Sequence, residues 1–465
     1  MTFSNAHRLS AALLAALLAA CTTAPTPTPT GTPIDHATAQ ASFEQVWTIV
    51  ETTDADPAHG GVDWKAVKAE FQPRVDACTT LEQLRQIERE MLERLGRSHF
   101  GVIEQESASR ITPGDDGTAS KPSRAAASNG TMGLDLRVIE HRVVVTNVHA
   151  DTPAAAAHVQ RGWIVQRVDG ADPMEHQDEH APSGPMARYA RDAAAQALDL
   201  GSAGSTETWT FLDASGTTHT LSLQRAETSG TPTQIGLLPT FRVRCEDRML
   251  SADELQQLGL DPKLRIAVIG FNIWMPVIAT QFDEAVDRHR DCDGIILDLR
   301  GNPGGVGAMA MGIAGHFHDD TDSLGTMRTR EASLEFKVNP RRSTADGRSV
   351  QPFTGPLAIL VDPMSASTSE IFAAGLQSLD RAHVVGRTSA GAALPAQMRE
   401  LPGGDGLLFA FADFTRPDGS HIEGVGVIPD LPSGDTLLAW QLGNDPDIAA
   451  AADWIAVELH PFDCH

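Results

Sequence analysis

The sequence predicts a multidomain α+β protein: a helical N-terminal domain, a small β domain and a larger α/β core. Three observations support this. Apolar residues recur at three- and four-residue spacing between Asp35 and Leu95, as on the buried face of helices. From Thr131 to about Arg225 the chain changes to short alternating segments, the period of half-buried strands. Farther on, the apolar runs Arg265–Phe271, Gly294–Leu299 and Leu357–Val361 alternate with helical segments, the pattern of a parallel sheet covered on both faces.

At 465 residues and 41% hydrophobic content, the chain holds about two to four domains. Its formal net charge of −25 and pI near 5.0 argue against a nucleic-acid binder, which needs a basic surface. Lysine occurs only at Lys65, Lys68, Lys121, Lys263 and Lys337, and none follows Ser367.

Residues 1–21 combine a short basic-bearing start with an apolar run from Leu9 to Ala20, too short to span a membrane and of secretory form. The run ends Leu18-Ala19-Ala20-Cys21, which resembles the bacterial lipobox. That resemblance implies lipidation of Cys21 and an exported lipoprotein, anchored to the outer membrane and facing the periplasm. Residues 22–34, rich in Thr and Pro, read as an extended tether. Four cysteines remain, Cys78, Cys245, Cys292 and Cys464, which in an oxidising compartment allow two disulfides in three connectivities. Their scattered spacing matches no metal site.

Residues 35–106 form the helical domain. Phe43, Val46, Trp47 and Val50, then Leu81, Leu84, Ile87, Met91, Leu92 and Leu95, mark its buried stripes, and Gly96 stops the last helix. Ser98-His99 follows that stop, where a histidine alone would read as a helix-end residue. Residues 107–130 are a polar linker. In residues 131–226, Met132-Gly133-Leu134-Asp135-Leu136, Arg142–Val148, Thr152-Pro153-Ala154-Ala155 and Val165–Gly170 follow the pattern of a PDZ domain, which this segment resembles, with Trp163 standing where an aspartate is usual. The resemblance implies that Gly133, Leu134, Asp135 and Leu136 receive a C-terminal peptide by strand addition.

Residues 227–465 form the core and C-terminal helices. After Gly294–Leu299 comes Arg300-Gly301-Asn302-Pro303-Gly304-Gly305, a strand-to-helix turn whose amides suit an anion. It lacks the Lys and Ser/Thr of a phosphate loop, so an oxyanion site is the better fit. Leu357–Val361 leads to Ser365-Ala366-Ser367-Thr368-Ser369-Glu370 and a helix from about Ser369 to Leu379. A hydroxyl at that turn sits where α/β folds place nucleophiles, although Ser367-Thr-Ser-Glu370 also fits a capping box. Leu407–Phe414 reads as a strand, and Glu423 as a loop carboxylate.

Together, Leu297-Asp-Leu-Arg-Gly-Asn-Pro-Gly-Gly305 and Ser365-Ala-Ser-Thr-Ser-Glu-Ile371, in that order behind a PDZ-like segment, resemble the tail-specific, or C-terminal-processing, serine peptidases. The resemblance implies a ClpP/crotonase-like protease core with Ser367 as nucleophile. The branch that uses a lysine base carries it in a Gly-Lys-Gly segment, which here is Gly391-Ala392-Ala393. The tricorn-core-like branch uses serine, histidine and glutamate instead, and its motifs match Ser98-His99 and Ile422-Glu423 with Gly426–Asp430. This implies His99 as general base, with Glu423 or Ser98 orienting it, and backbone amides of Thr368 and of Gly304 or Gly305 as the oxyanion hole. The expected function is a serine endopeptidase acting on exported polypeptides without metal or organic cofactor. The alternative is a non-catalytic binding protein or PDZ scaffold on the same fold.

Overall fold

The structure, a computed structural model, describes residues 31–104, 129–175, 184–234, 241–344 and 346–460. The lipobox with Cys21, most of the tether, most of the 107–130 linker and Cys464 lie outside the described residues. No described helix is long and apolar enough to cross a membrane.

Three helices open the described chain: α1 (His36–Thr53), α2 (Trp64–Ala77) and α3 (Leu81–Glu93). Each starts on a side-chain cap, Asp35, Asp63 and Thr80, which satisfies amides the first turn leaves unpaired. Their buried stripes meet as expected, but the cluster they form also contains Leu401, Leu407 and Phe409 from the far end of the chain. The short strand β1 (Gly101–Ile103) completes this junction.

The middle module is a five-stranded antiparallel sheet, β2 (Leu134–Ile139), β3 (Arg142–Val148), β4 (Ile164–Val168), β5 (Thr206–Leu212) and β6 (Thr218–Gln224), in sequential order. Helix α4 (Pro185–Gln196) lies along the open edge of β2. Trp163, Trp209 and Phe211 fill the space inside, so the position where the PDZ pattern expects an aspartate carries a core side chain.

The core sheet comprises β7 (Cys245–Met249), β8 (Ile266–Phe271), β9 (Gly294–Asp298), β12 (Leu357–Val361), β13 (His383–Gly386) and β17 (Leu431–Pro432), in that spatial order. The first pair is antiparallel and the rest parallel. All five residues of β12 are buried, which accounts for its unbroken apolar run. Helices α5 (Ile278–His289), α6 (Met309–Ala314) and α7 (Thr368–Ser378) pack on one face and α9 (Pro446–Leu459) on the other. Leu297 aligns with Ile359, so the turns after β9 and β12 leave the same sheet edge. Ligand crevices of parallel sheets lie at that edge.

Two smaller sheets complete the core. Strands β10 (Ser323–Arg328) and β11 (Ser333–Lys337) pair with β16 (Asp413–Thr415). The hairpin β14 (Ala396–Glu400) and β15 (Gly406–Ala410) pairs with β1, Val102 opposite Leu407. The single strand expected over Leu407–Phe414 is therefore two strands in different sheets, broken where Phe411 N–H turns to Pro395 O at 3.1 Å. The helix after the glycine turn is short, Met309–Ala314, because Gly305 and Val306 are tied to Trp274 in an extended turn. The middle module docks on the core through Trp440 of α8 (Leu437–Gln441), packed against Ile139, Val144 and Ile164, and through a buried Arg137–Asp447 ion pair at 3.1 Å.

Among the described residues none of the possible disulfides forms. Cys78, Cys245 and Cys292 are free thiols, and burial raises all three, Cys292 to about 11 and Cys245 to about 12. Such thiols are poor nucleophiles and resist oxidation.

Candidate active site

Three serines crowd the turn between β12 and α7, and their hydrogen bonds separate them. Ser365 Oγ donates to Leu299 O at 2.7 Å, and Ser369 Oγ to Asn302 O at 3.0 Å; both residues are fully buried. These two stitch the serine turn to the glycine turn. Ser367 is partly exposed, and although the Glu370 N–H approaches its side chain in a capping-box arrangement, its hydroxyl donates to no acceptor among the described residues. Its backbone is held at φ 55°, ψ −117°, in the left-handed region that a non-glycine residue rarely adopts. Such strain is worth about 1–3 kcal/mol and persists only where surroundings enforce it. A strand-to-helix turn of this kind thrusts a hydroxyl out above the sheet.

Glu370 is one of the enforcing groups. Read from sequence as a capping-box partner, it does accept from Ser367 N–H at 3.1 Å. It also accepts from Gly391 N–H (2.7 Å), Ala392 N–H (2.9 Å) and Ser389 Oγ, while Ser367 N–H donates in addition to Ala392 O at 2.8 Å. A fully buried carboxylate thereby clamps residues 389–392 behind the nucleophile candidate. Burial pushes its carboxyl up to about 7 against these four donors, which favour the anion. The sequence signal was present in the motif itself, but its reach to residues 389–392 was not.

Ser98, His99 and Glu423 come together. Ser98 N–H donates to Glu423 Oε1 at 2.8 Å and Ser98 Oγ to Glu423 Oε2 at 2.9 Å. Ser98 Oγ lies 2.7 Å from His99 Nδ1. A hydroxyl has one proton, and here it goes to the carboxylate, so the imidazole must donate from Nδ1. That leaves Nε2 as the basic nitrogen, with no protein partner among the described residues. Glu423 also accepts from Ala393 N–H at 3.0 Å, next to the residue whose carbonyl holds Ser367. The histidine assembly and the serine turn thus meet on residues 392–393. His99 touches no carboxylate directly, and burial lowers its pKa to about 4.

A set of groups not singled out from the sequence fixes the turn that bears His99. Asp54, 1% exposed, accepts from both Arg97 Nη1 (3.0 Å) and Nη2 and from His59 Nδ1 (2.8 Å). Burial raises the Asp54 carboxyl, but its bonds to Arg97 and His59 outweigh that and hold it below the usual range. Arg330, on the turn between β10 and β11, donates to the carbonyls of Asp54 and Glu51, tying the helical segment to the core. Sequence spacing carries no sign of the Arg97 and Arg330 contacts, whose partners lie 43 to 279 residues away.

The glycine turn resolves the oxyanion candidates. Gly304 N–H donates to Asn302 Oδ1 at 3.0 Å, so the expectation that its amide is available is not met. The amides of Gly305 and Thr368 donate to no described acceptor. The role of Gly304 is closeness: a Cβ there would lie 2.6 Å from Ser367 Cβ, and φ is +97°. Gly305 is at φ +140°, where a Cβ would strike Trp274 O at 2.3 Å.

Gly133, Leu134, Asp135 and Leu136 lie away from these groups, on the middle module. The amides of Gly133, Leu134 and Leu136 are already paired within the module, so they are not open to a peptide as expected. Helix α4 beside them reaches the serine turn: Tyr189 packs on Ala366, Ala390 and Ala392, and Asp192 Oδ2 accepts from Arg387 at 2.8 Å.

Comparison with known proteins bears on these observations. Residues 265–433 match Peptidase family S41, and residues 35–93 match the tricorn protease C1 domain. The carboxyl-terminal-processing peptidase 3, chloroplastic, of Arabidopsis thaliana is 25% identical over 403 residues, 85% of this chain and 69% of that protein. A carboxyl-terminal-processing protease of Synechocystis sp. is 33% identical over 153 residues, 33% of this chain and 34% of that protein. Among solved structures, a photosystem II D1 C-terminal processing protease superposes with a TM-score of 0.54 at 19% identity, covering 89% of this chain and 99% of that one. That likeness concerns the fold.

Proposed function

We propose that the chain is a serine peptidase related to family S41 and to the carboxyl-terminal-processing proteases, and that it cleaves exported polypeptides through Ser367, His99, Ser98 and Glu423. The observation that carries this reading is that one strained serine and one histidine whose tautomer leaves Nε2 basic are both tied to the same segment, Ser367 N–H donating to Ala392 O and Ala393 N–H to Glu423. Ser367 Oγ attacks the scissile carbonyl as His99 Nε2 takes its proton. The oxyanion that develops is met by the amides of Gly305 and Thr368. His99 then returns the proton to the leaving amine, and water repeats the sequence to release the acyl chain. Glu423 stabilises the transient imidazolium through Ser98, one hydroxyl farther than in a direct triad. Lysine plays no part, since Ala392 and Ala393 occupy the segment where the other branch carries it.

We place the protein in the bacterial envelope as a lipoprotein held through Cys21, on the outer membrane facing the periplasm. The signal-like leader and the Thr/Pro tether support that placement. The module at 131–226 is read as PDZ-like on its strand pattern and its edge helix. Capture of chain termini forms no part of the mechanism, because the required amides are paired.

Cleavage of fluorescein-labelled casein, followed against pH, tests this reading. A general base must be neutral to act, so the lowered pKa of His99 keeps it competent down to about pH 4. Two acid-side steps in kcat/KM are expected. A small one near 7 accompanies protonation of Glu370, which loses acceptor capacity, and the full loss accompanies protonation of His99 at about 4. A single complete loss near 6.5 that persists in Glu370→Gln would contradict the assignment.

A further inference from the structure

An edge strand offers every second N–H and C=O group to a partner. On β2 these amides belong to Leu134, Leu136 and Val138, and all three are paired. Leu134 N–H donates to Asp199 Oδ1 (3.0 Å), Leu136 N–H to Gln196 Oε1 (2.9 Å) and Val138 N–H to Asp192 Oδ1 (3.1 Å). Gln196 Nε2 donates in return to Leu134 O at 2.9 Å, so one amide side chain supplies both halves of a strand contact.

The loop ahead of β2 is filled in the same way. Met132 N–H donates to Asp199 Oδ1 at 3.0 Å, Thr131 Oγ1 donates to Asp199 Oδ2, and Gly133 N–H donates to Thr131 Oγ1 at 2.8 Å. A carboxylate only 2% exposed therefore sits among loop amides at the head of an open strand. Backbone nests of this kind bind chain-terminal carboxylates. The remaining two acceptors continue along the strand at a spacing of two residues, as the bonds of an added β-strand would.

We propose that Asp199, Gln196 and Asp192 act as a built-in ligand: Asp199 takes the place of a peptide's terminal carboxylate, and Gln196 and Asp192 that of its backbone. An external peptide must displace all three, which takes from Asp199 its backbone donors and leaves Asp192 with Arg387 alone. In the wild-type chain the edge is therefore closed to strand addition. Asp192 is held from its other side by Arg387, so the plug is also anchored to the core. This occupancy is independent of the hydrolytic chemistry.

The test uses full-length protein carrying Ser367→Ala, so that no probe is cleaved. Two fluorescein-labelled decapeptides ending in valine, one with a free carboxylate and one amidated, are titrated by fluorescence anisotropy. Without further changes, the protein should not distinguish them. With Asp199→Ala and Gln196→Ala added, the free-carboxylate peptide should bind at least about tenfold more tightly, since the competing conformation is removed. Selective binding of the free-carboxylate peptide without those changes would overturn the proposal, as would a folded double variant that gains nothing. Should the double variant fail to fold, hydrogen exchange in the wild type decides. Amides of Leu134, Leu136 and Val138 should exchange as slowly as those of Val143 to Val145 in the sheet interior, and rapid exchange at all three would refute the plug.

Discussion

Replacing His99 by alanine should reduce kcat for casein cleavage on the order of 10⁶-fold while leaving the unfolding temperature nearly unchanged. Members of a catalytic unit are non-additive, and loss of the base alone forfeits almost the whole advantage of the nucleophile. His99 Nε2 is the free basic nitrogen of the assembly that meets the serine turn on residues 392–393, and no lysine lies after Ser367 to take over. The side chain lies in a turn, partly buried, and belongs to none of the core clusters, so its removal leaves the hydrophobic packing intact. Ser98→Ala should fall between wild type and His99→Ala, on the order of 10⁴-fold, because it cuts the imidazole from Glu423 and frees its tautomer. Activity within tenfold of wild type in His99→Ala would show that another base serves Ser367.

Replacing Asp405 by alanine should destabilise the chain by about 3–5 kcal/mol, the usual consequence of stranding one member of a buried ion pair. Asp405 lies between β14 and β15, and Arg85 on α3 meets it in a two-pronged contact, Nε to Oδ2 at 2.7 Å and Nη2 to Oδ1 at 2.8 Å. Both residues are under 5% exposed. The pair joins the helices that carry His99 to the hairpin that carries none of the chemistry. Its loss should lower the denaturation midpoint and activity together, because the base is delivered through that junction. Arg85→Met combined with Asp405→Leu should recover most of the loss in stability, since the costly element is a buried guanidinium left with only the longer contact to Glu104, at 3.5 Å. A shift below about 1 kcal/mol in Asp405→Ala would mean that water reaches the pair.

The residues that come together in the candidate site were legible because they lie in short motifs. Ser367 and the glycine turn are each fixed by neighbours within a few residues, and Ser98-His99 is a dipeptide. The choice among local options was not legible. Which glycine amide is free depends on Asn302 folding back on Gly304, and which serine hydroxyl is free depends on Leu299 and Asn302 reaching the other two. Contacts of long sequence separation left no periodic trace at all. The hairpin at 396–410 completes the core of helices some three hundred residues earlier, and β1 is too short to register as a strand. Likewise, the PDZ-like pattern at Met132–Leu136 falls on the start of an edge strand, but nothing local reveals that Asp192, Gln196 and Asp199 close it.

The central claim is that Ser367 is an activated nucleophile, and active-site labelling reads it most directly. Purified protein is treated with a fluorophosphonate probe beside Ser367→Ala and His99→Ala, and the modified residue is identified by mass spectrometry. The wild type should be labelled on Ser367, Ser367→Ala should not react, and His99→Ala should react far more slowly. Labelling that persists in Ser367→Ala, or that falls on another residue of the wild type, would contradict the account.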